Sequence, residues 1–137
     1  MNLVDLNGRQ DEPDVLIVLR HSHGSEAALD EALAHYRSDE WQFVGWQHGD
    51  EILACAGAEK HDVETVRIRS IAVVPTWRGR GLARALIDAL AERTGAARVV
   101  AETDDDAVGF YRRCGFTVND APPKFGRPRY WCVRNLN

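Results

Sequence analysis

The spacing of apolar positions changes several times along the chain, and each change marks a predicted element. Leu3-Val4-Asp5-Leu6 is a short apolar run that reads as a first strand. Asp11-Glu12-Pro13-Asp14 then supplies capping acids and a first-turn proline, which favours a helix over about residues 13–20. The run Val15-Leu16-Ile17-Val18-Leu19 is β-branched enough to form a strand instead, and periodicity alone leaves both open. Gly24-Ser25-Glu26 opens a second helix with Ala28, Leu29, Leu33 and Tyr36 on one face, ending near Arg37-Ser38-Asp39.

From Trp41 the period shortens. Gln42–Trp46 and Glu51–Gly57 are strand-like runs separated by His48-Gly49-Asp50, which predicts a hairpin. A turn at His61-Asp62 leads into a long third strand, Glu64 to Val74. Helical spacing returns at Leu82, Ala85, Leu86, Ala89 and Leu90 and stops at Thr94-Gly95. Arg98–Glu102 is a short buried strand, and Asp104-Asp105-Asp106 caps a helix from Ala107 to Cys114, closed by Gly115. Phe116-Thr117-Val118 and Arg129–Val133 complete a sheet, joined by Ala121-Pro122-Pro123-Lys124 as a loop. The whole is one domain, residues 1–137.

Composition changes this picture little. The chain is 45% hydrophobic and 28% charged, with no apolar tract long enough to span a membrane and no basic, apolar secretory start. A net charge of −4 with scattered basic residues argues against nucleic acid, keeps the protein soluble, and mildly favours a cationic or neutral small partner. Cys55, Cys114 and Cys132 are odd in number and far apart, which predicts free thiols in a reducing cytoplasm. His21 and His23 lack nearby cysteine or carboxylate ligands, so no metal site is expected.

The chemistry concentrates at Ser70–Arg84. An apolar strand runs through Pro75 into Arg78-Gly79-Arg80-Gly81-Leu82-Ala83 and opens directly onto a helix. Such a turn leaves backbone N–H groups without intrahelical partners and adds the positive end of the helix dipole, an arrangement suited to phosphate or pyrophosphate. Gly79 and Gly81 let backbone approach the anion, and Arg78 and Arg80 can add charge-assisted bonds. No βαβ unit leads into the turn, which excludes a dinucleotide-binding fold.

Ile71-Ala72-Val73 with Pro75, the glycine turn, and Phe110-Tyr111-Arg112-Arg113-Cys114-Gly115-Phe116 stand in an order that resembles the GCN5-related N-acetyltransferase (GNAT) family, whose members move an acetyl group from acetyl-CoA to an amine. The similarity covers residues 64–118 closely; the first sixty match in element order only. It implies an α+β fold: a twisted mixed sheet of about seven strands flanked by about four helices, with acetyl-CoA held where two central strands part. It also implies that Ile71, Ala72 and Val73 hold the pantetheine arm and that backbone from Gly79 through Gly81, Leu82, Ala83 and Arg84, with Arg78 and Arg80, holds the pyrophosphate. Tyr111 falls where the family carries the acid that protonates the leaving thiolate.

Two positions depart from the pattern. Members often carry a glutamate about four residues before Ile-Ala-Val, where this chain has Arg67. That leaves Glu64, Glu102 and Asp104 as nearby acids. Glu102, at the end of its short strand, is the preferred catalytic base, with a pre-deprotonated amine as the alternative. Asp104 stands where the family often has a cofactor-binding asparagine, and either contacts the cofactor or caps the following helix. Cys114 admits an acetyl-cysteine route, but nothing marks an activated thiol, so direct attack in a ternary complex is simpler.

On the acceptor side the resemblance places His21–Gly24 and Asn119–Pro128, with Trp46, Tyr130 and Trp131 as candidate aromatic walls. Lys124, Arg127 and Arg129 make that side locally positive and suit an acceptor bearing a carboxylate or phosphate. The expected partner is a small-molecule or peptide amine; strand pairing between two copies is compatible with so small a domain. The competing function is an acyl-CoA-binding sensor without turnover. A toxin acting on charged tRNA is disfavoured by the net charge.

Overall fold

The computed structural model describes residues 1–136. Seven strands form one sheet in the order β1-β2-β3-β4-β5-β7-β6: β1 Asn2–Asp5, β2 Trp41–His48, β3 Glu51–Lys60, β4 Thr65–Val73, β5 Arg98–Asp104, β6 Thr117–Lys124 and β7 Arg127–Asn135. Every neighbouring pair is antiparallel except β4–β5. The four helices are α1 Pro13–Leu19, α2 Glu26–Arg37, α3 Leu82–Thr94 and α4 Val108–Arg113. The α+β architecture expected from the sequence is the one formed.

Residues 13–19 resolve their ambiguity as a helix. Pro13 occupies the first turn, and Val15, Val18 and Leu19 are buried at helical spacing while Ile17 points to solvent. In α2 the Ser25 side chain accepts from the Ala28 amide at 3.1 Å, and Leu29, Ala32, Leu33 and Tyr36 turn inward. These two helices cover the β1–β4 half of one sheet face, burying Leu6, Phe43, Ile52 and Ala72. On the other face α3 and α4 bury Val44, Ala56, Val66, Val99 and Cys132. The β5-β7-β6 half of the first face carries no helix from either group.

Two details shape the centre of the sheet. The β3–β4 register slips between Gly57 and Ala58, because Arg69 is an extra residue on β4 between Ile68 and Ser70. A bulge bends its strand and tightens the local twist. Immediately before it, the parallel β4–β5 pairing ends after three pairs, with Arg67 opposite Val100. Beyond that point the strands diverge. Opposite the bulge, Gly57 has no side chain for a reason of space: a Cβ there would lie 1.6 Å from the Tyr36 hydroxyl.

One expected loop is a strand. Ala121–Lys124 belongs to β6, and the turn falls instead at Phe125-Gly126, both with positive φ, between paired Lys124 and Arg127. Two central residues with φ > 0 match the twist of a tight hairpin. Pro122 and Pro123 are tolerated because β6 is a sheet edge and its register breaks there.

Candidate active site

The divergence of β4 from β5 opens a cleft of about 760 Å³. Val74 donates its N–H to Leu53 on β3 at 2.9 Å, so the pleat turns the backbone of Ile71 and Val73 away from β3 and into the cleft. Two side-chain contacts mark those groups. The Ile71 N–H donates to Ser22 Oγ at 2.9 Å, and the Val73 carbonyl accepts from Arg78 Nε at 3.0 Å. Ala72, paired with Cys55, contributes to the cleft wall while its side chain packs under α1 and α2.

The glycine turn follows at the mouth of this cleft. Gly79 and Gly81 adopt φ of 78° and 80°, the left-handed region open to glycine, with empty space where a Cβ would project. The first α3 bond joins the Ala85 N–H to Gly81 O, and the amides from Gly79 to Arg84 donate to no acceptor among the described residues. Six consecutive free N–H groups at the positive end of a 13-residue helix form an anion cradle. Arg80 stacks over Trp77 at 4.5 Å. Arg78 spends Nε on Val73 and keeps its terminal nitrogens. Trp46 Nε1 donates to the Leu82 carbonyl at 3.1 Å, so this residue supports α3 and is not an acceptor wall.

Tyr111 lines the cleft from α4, with its ring edge-on to Phe110 and Phe116. Its hydroxyl has no protein partner among the described residues, and burial pushes its pKa well above the ordinary phenol value. It is therefore a neutral donor across the physiological range. Asp104 accepts from the amides of Asp106 at 3.0 Å and Ala107 at 3.1 Å through one oxygen, closing the turn ahead of α4. The same residue borders the cleft. Cys114 is buried and its thiol is pushed up by that burial, which opposes a thiolate nucleophile; Cys55 is pushed up to about 12. All three cysteines are free.

Glu102 reaches the cleft from β5, in a setting different from that of a free base. A single oxygen, Oε2, accepts from Lys124 Nζ at 2.8 Å and Arg129 at 3.1 Å. Burial pushes its pKa up, but the hydrogen bonds and charges of these two cations outweigh that and leave it lowered. A carboxylate so paired is a weak proton acceptor.

Glu102, Arg129 and Trp131 lie on the uncovered face of the sheet. Tyr130 and Cys132, alternating with them on β7, face α4, and Tyr130 donates to Asp105. Of the three candidate aromatics only Trp131 lies on the uncovered face, with the Arg67 guanidinium 5.4 Å from its ring centroid. His21 and Ser22 border the cleft.

Sequence reasoning did not single out a buried chain behind the loop that follows α1. The Tyr36 hydroxyl donates to Ser70 Oγ at 2.7 Å, and Ser70 Oγ lies 2.9 Å from His23 Nε2. Burial lowers the His23 pKa, in keeping with a neutral ring. No local pattern announces this chain, since its members are 13 and 34 residues apart in sequence.

Comparisons with known proteins agree with this fold. The model of the acetyltransferase (GNAT) family matches residues 11–116. No curated protein matches the chain in sequence. Among solved structures, an aminoglycoside 6'-N-acetyltransferase complexed with coenzyme A aligns over 100% of this chain and 98% of its own, at TM-score 0.84 and 14% identity. A GNAT family acetyltransferase from Elizabethkingia anophelis with acetyl-CoA bound aligns over 98% and 97%, at TM-score 0.75 and 18% identity. A Bacillus subtilis acetyltransferase in complex with CoA aligns over 99% of both chains, at TM-score 0.75 and 20% identity. At these identities the likeness establishes the fold, and the family match establishes the rest: the chain belongs to the acetyltransferase (GNAT) family, acetyl-CoA-dependent enzymes of this architecture.

Proposed function

We propose that the protein is an N-acetyltransferase that passes acetyl from acetyl-CoA to the primary amine of a small molecule or peptide, by direct attack in a ternary complex in a reducing cytoplasm. The observation that carries this reading is the pairing, in one cleft, of inward-turned β4 backbone continuing into the free amides of Gly79–Arg84 with the unpartnered Tyr111 hydroxyl. The amides take the pyrophosphate. The Ile71 and Val73 backbone groups pair with the pantetheine amides much as an added strand would. The position of Ser22 Oγ, an oxygen accepting from the Ile71 N–H, is where a thioester carbonyl oxygen fits and gains stabilisation as it becomes negative.

The amine nitrogen then forms its bond to the carbonyl carbon, the carbon–sulfur bond breaks, and the departing sulfur takes a hydrogen bond or proton from Tyr111. The amine's surplus proton leaves to solvent or to a base. Glu102 is the acid on β5 nearest this role, and its ion pairs favour the alternative of an amine that arrives uncharged.

A second reading, an acyl-CoA-binding module without turnover, is favoured by the same two contacts: Ser22 occupying the Ile71 N–H and Glu102 tied to two cations. Calorimetric titration with CoA, alongside thiol release from acetyl-CoA over a panel of amines, separates them. Tight CoA binding with amine-dependent thiol release is expected. Binding without release on any amine identifies the sensor.

A further inference from the structure

The uncovered face of the sheet beside the cleft gathers an excess of positive charge. Val66 and Ile68 of β4, Val99 and Ala101 of β5 and Cys132 of β7 pack under α3 and α4, so the alternate residues Arg67, Glu102, Arg129 and Trp131 emerge on the opposite face. Arg69 in the bulge and Lys124 on β6 join them. Four cations there meet Glu59 and Glu102, and Asp104 stands opposite Arg129 at the end of β5. Glu59 takes Arg69, and a single oxygen of Glu102 takes both Lys124 and Arg129. In a chain of net charge −4 this local excess of positive charge runs against the whole.

The donors of this cluster are unevenly spent. The Arg67 guanidinium is half-buried, makes no ion pair or hydrogen bond among the described residues, and rests on Trp131. Arg129 Nε is buried without a partner. Burial and the nearby charges of Arg69 and Arg129 push the Arg67 pKa down, although Glu102 and Glu59 oppose them. Guanidinium donors left idle among like charges cost stability until an anion accepts from them.

Resting on the acetyltransferase reading above, we propose that the acceptor is an amine that also carries an anionic group, a carboxylate or a phosphate, bound by Arg67, Arg69 and Arg129. Arg69 and Arg129 border the cleft that holds Ile71 and Tyr111, so anion and amine belong to one molecule. Arg67 precedes Ile71 by four residues of a bulged strand, at most about 13 Å at roughly 3.3 Å each. The two groups of the acceptor are therefore several bonds apart. Polycations such as aminoglycosides are the wrong charge for this face.

Steady-state thiol release with the full chain tests this on matched acceptors: 6-aminohexanoic acid against its amide, phosphoethanolamine against ethanolamine, and kanamycin. The anionic member is expected to exceed its neutral partner at least about tenfold in kcat/KM, and whichever anionic acceptor leads distinguishes carboxylate from phosphate. Arg67→Gln and Arg129→Gln should shrink that ratio to below about threefold through KM, while CoA titration shows both variants folded. Equal or better turnover of the amide, ethanolamine or kanamycin overturns the proposal, as does a ratio that survives in both variants. If no amine is acetylated, the transfer reading fails and the anion site is decided separately. Calorimetry of N-acetyl-6-aminohexanoate and its amide against the CoA complex should show binding of the acid alone, lost in Arg67→Gln; equal binding of both refutes the site.

Discussion

The two sides of the cleft are built from different materials. On the donor side the working groups are backbone: the inward-turned Ile71 and Val73 and the free amides from Gly79 to Arg84, shaped by two left-handed glycines and a helix terminus. On the side proposed for the acceptor they are side chains, Arg67, Arg69, Lys124 and Arg129 set against Glu59 and Glu102 on an uncovered sheet face. Backbone groups are the same whatever the residue, so a donor site of this kind constrains sequence mainly through glycine and the helix start. Side-chain groups differ at every position. A fold can thus keep one donor and change its acceptor by exchanging a few charges on one face.

Four perturbations break or sharpen that contrast, in falling order of expected effect. Tyr111→Phe removes the cleft-lining phenol proposed above to protonate the departing sulfur. It should lower kcat by about 10²-fold or more, in the range of a lost general acid, with CoA affinity little changed by calorimetry. A loss below threefold shows that the thiolate leaves unaided.

Gly81→Val strikes the backbone half directly. Forcing φ of 80° on a β-branched residue costs about 1–2 kcal/mol, roughly tenfold in CoA affinity if the turn opens to relieve it. The acid-to-amide preference among acceptors should stay intact, which would show the two halves to be separable.

Glu102→Gln acts on the other half. It releases Lys124 and Arg129 and should lower the KM of an anionic acceptor severalfold. A fall in kcat of about 10²-fold instead identifies Glu102 as the base. The smallest effect concerns the His23 ring. Its pKa in the folded protein lies below the ordinary 6.5, so the unfolded chain binds the proton first as pH falls. The stability that the neutral ring contributes is present above about pH 6.5 and is lost as pH drops through the folded value. Urea midpoints measured between pH 7.5 and 5 should fall more steeply for the natural chain than for His23→Gln. Parallel slopes exclude the effect.

The order of elements was legible because each carries a local reason: a first-turn proline at Pro13, a capping Ser25, a stop at Gly95, a Gly-Asp turn at residues 49–50. Where two local rules competed, tertiary packing chose. Val15–Leu19 is helical because that arrangement buries Val15, Val18 and Leu19 together. The prolines at 122 and 123 lie in a strand because β6 is an edge, which a one-dimensional pattern does not reveal. Asp104 closes the turn ahead of α4, while Ala107 stands at the helix N-cap with no side-chain cap.

By itself, then, the sequence determined the glycine turn and the helix that follows it, because strand, glycine turn and helix start form a short contiguous device, complete within Ile71–Arg84. The charged cluster on the uncovered face was decided only by folding. Arg67, Glu102 and Arg129 come from three strands, and their meeting on one face depends on a bulge at Arg69, on where the β4–β5 pairing stops, and on pleat alternation across the sheet. A single slip of register turns a side chain to the opposite face, so charges that neutralise or reinforce one another are chosen by strand pairing, which no local stretch of residues encodes.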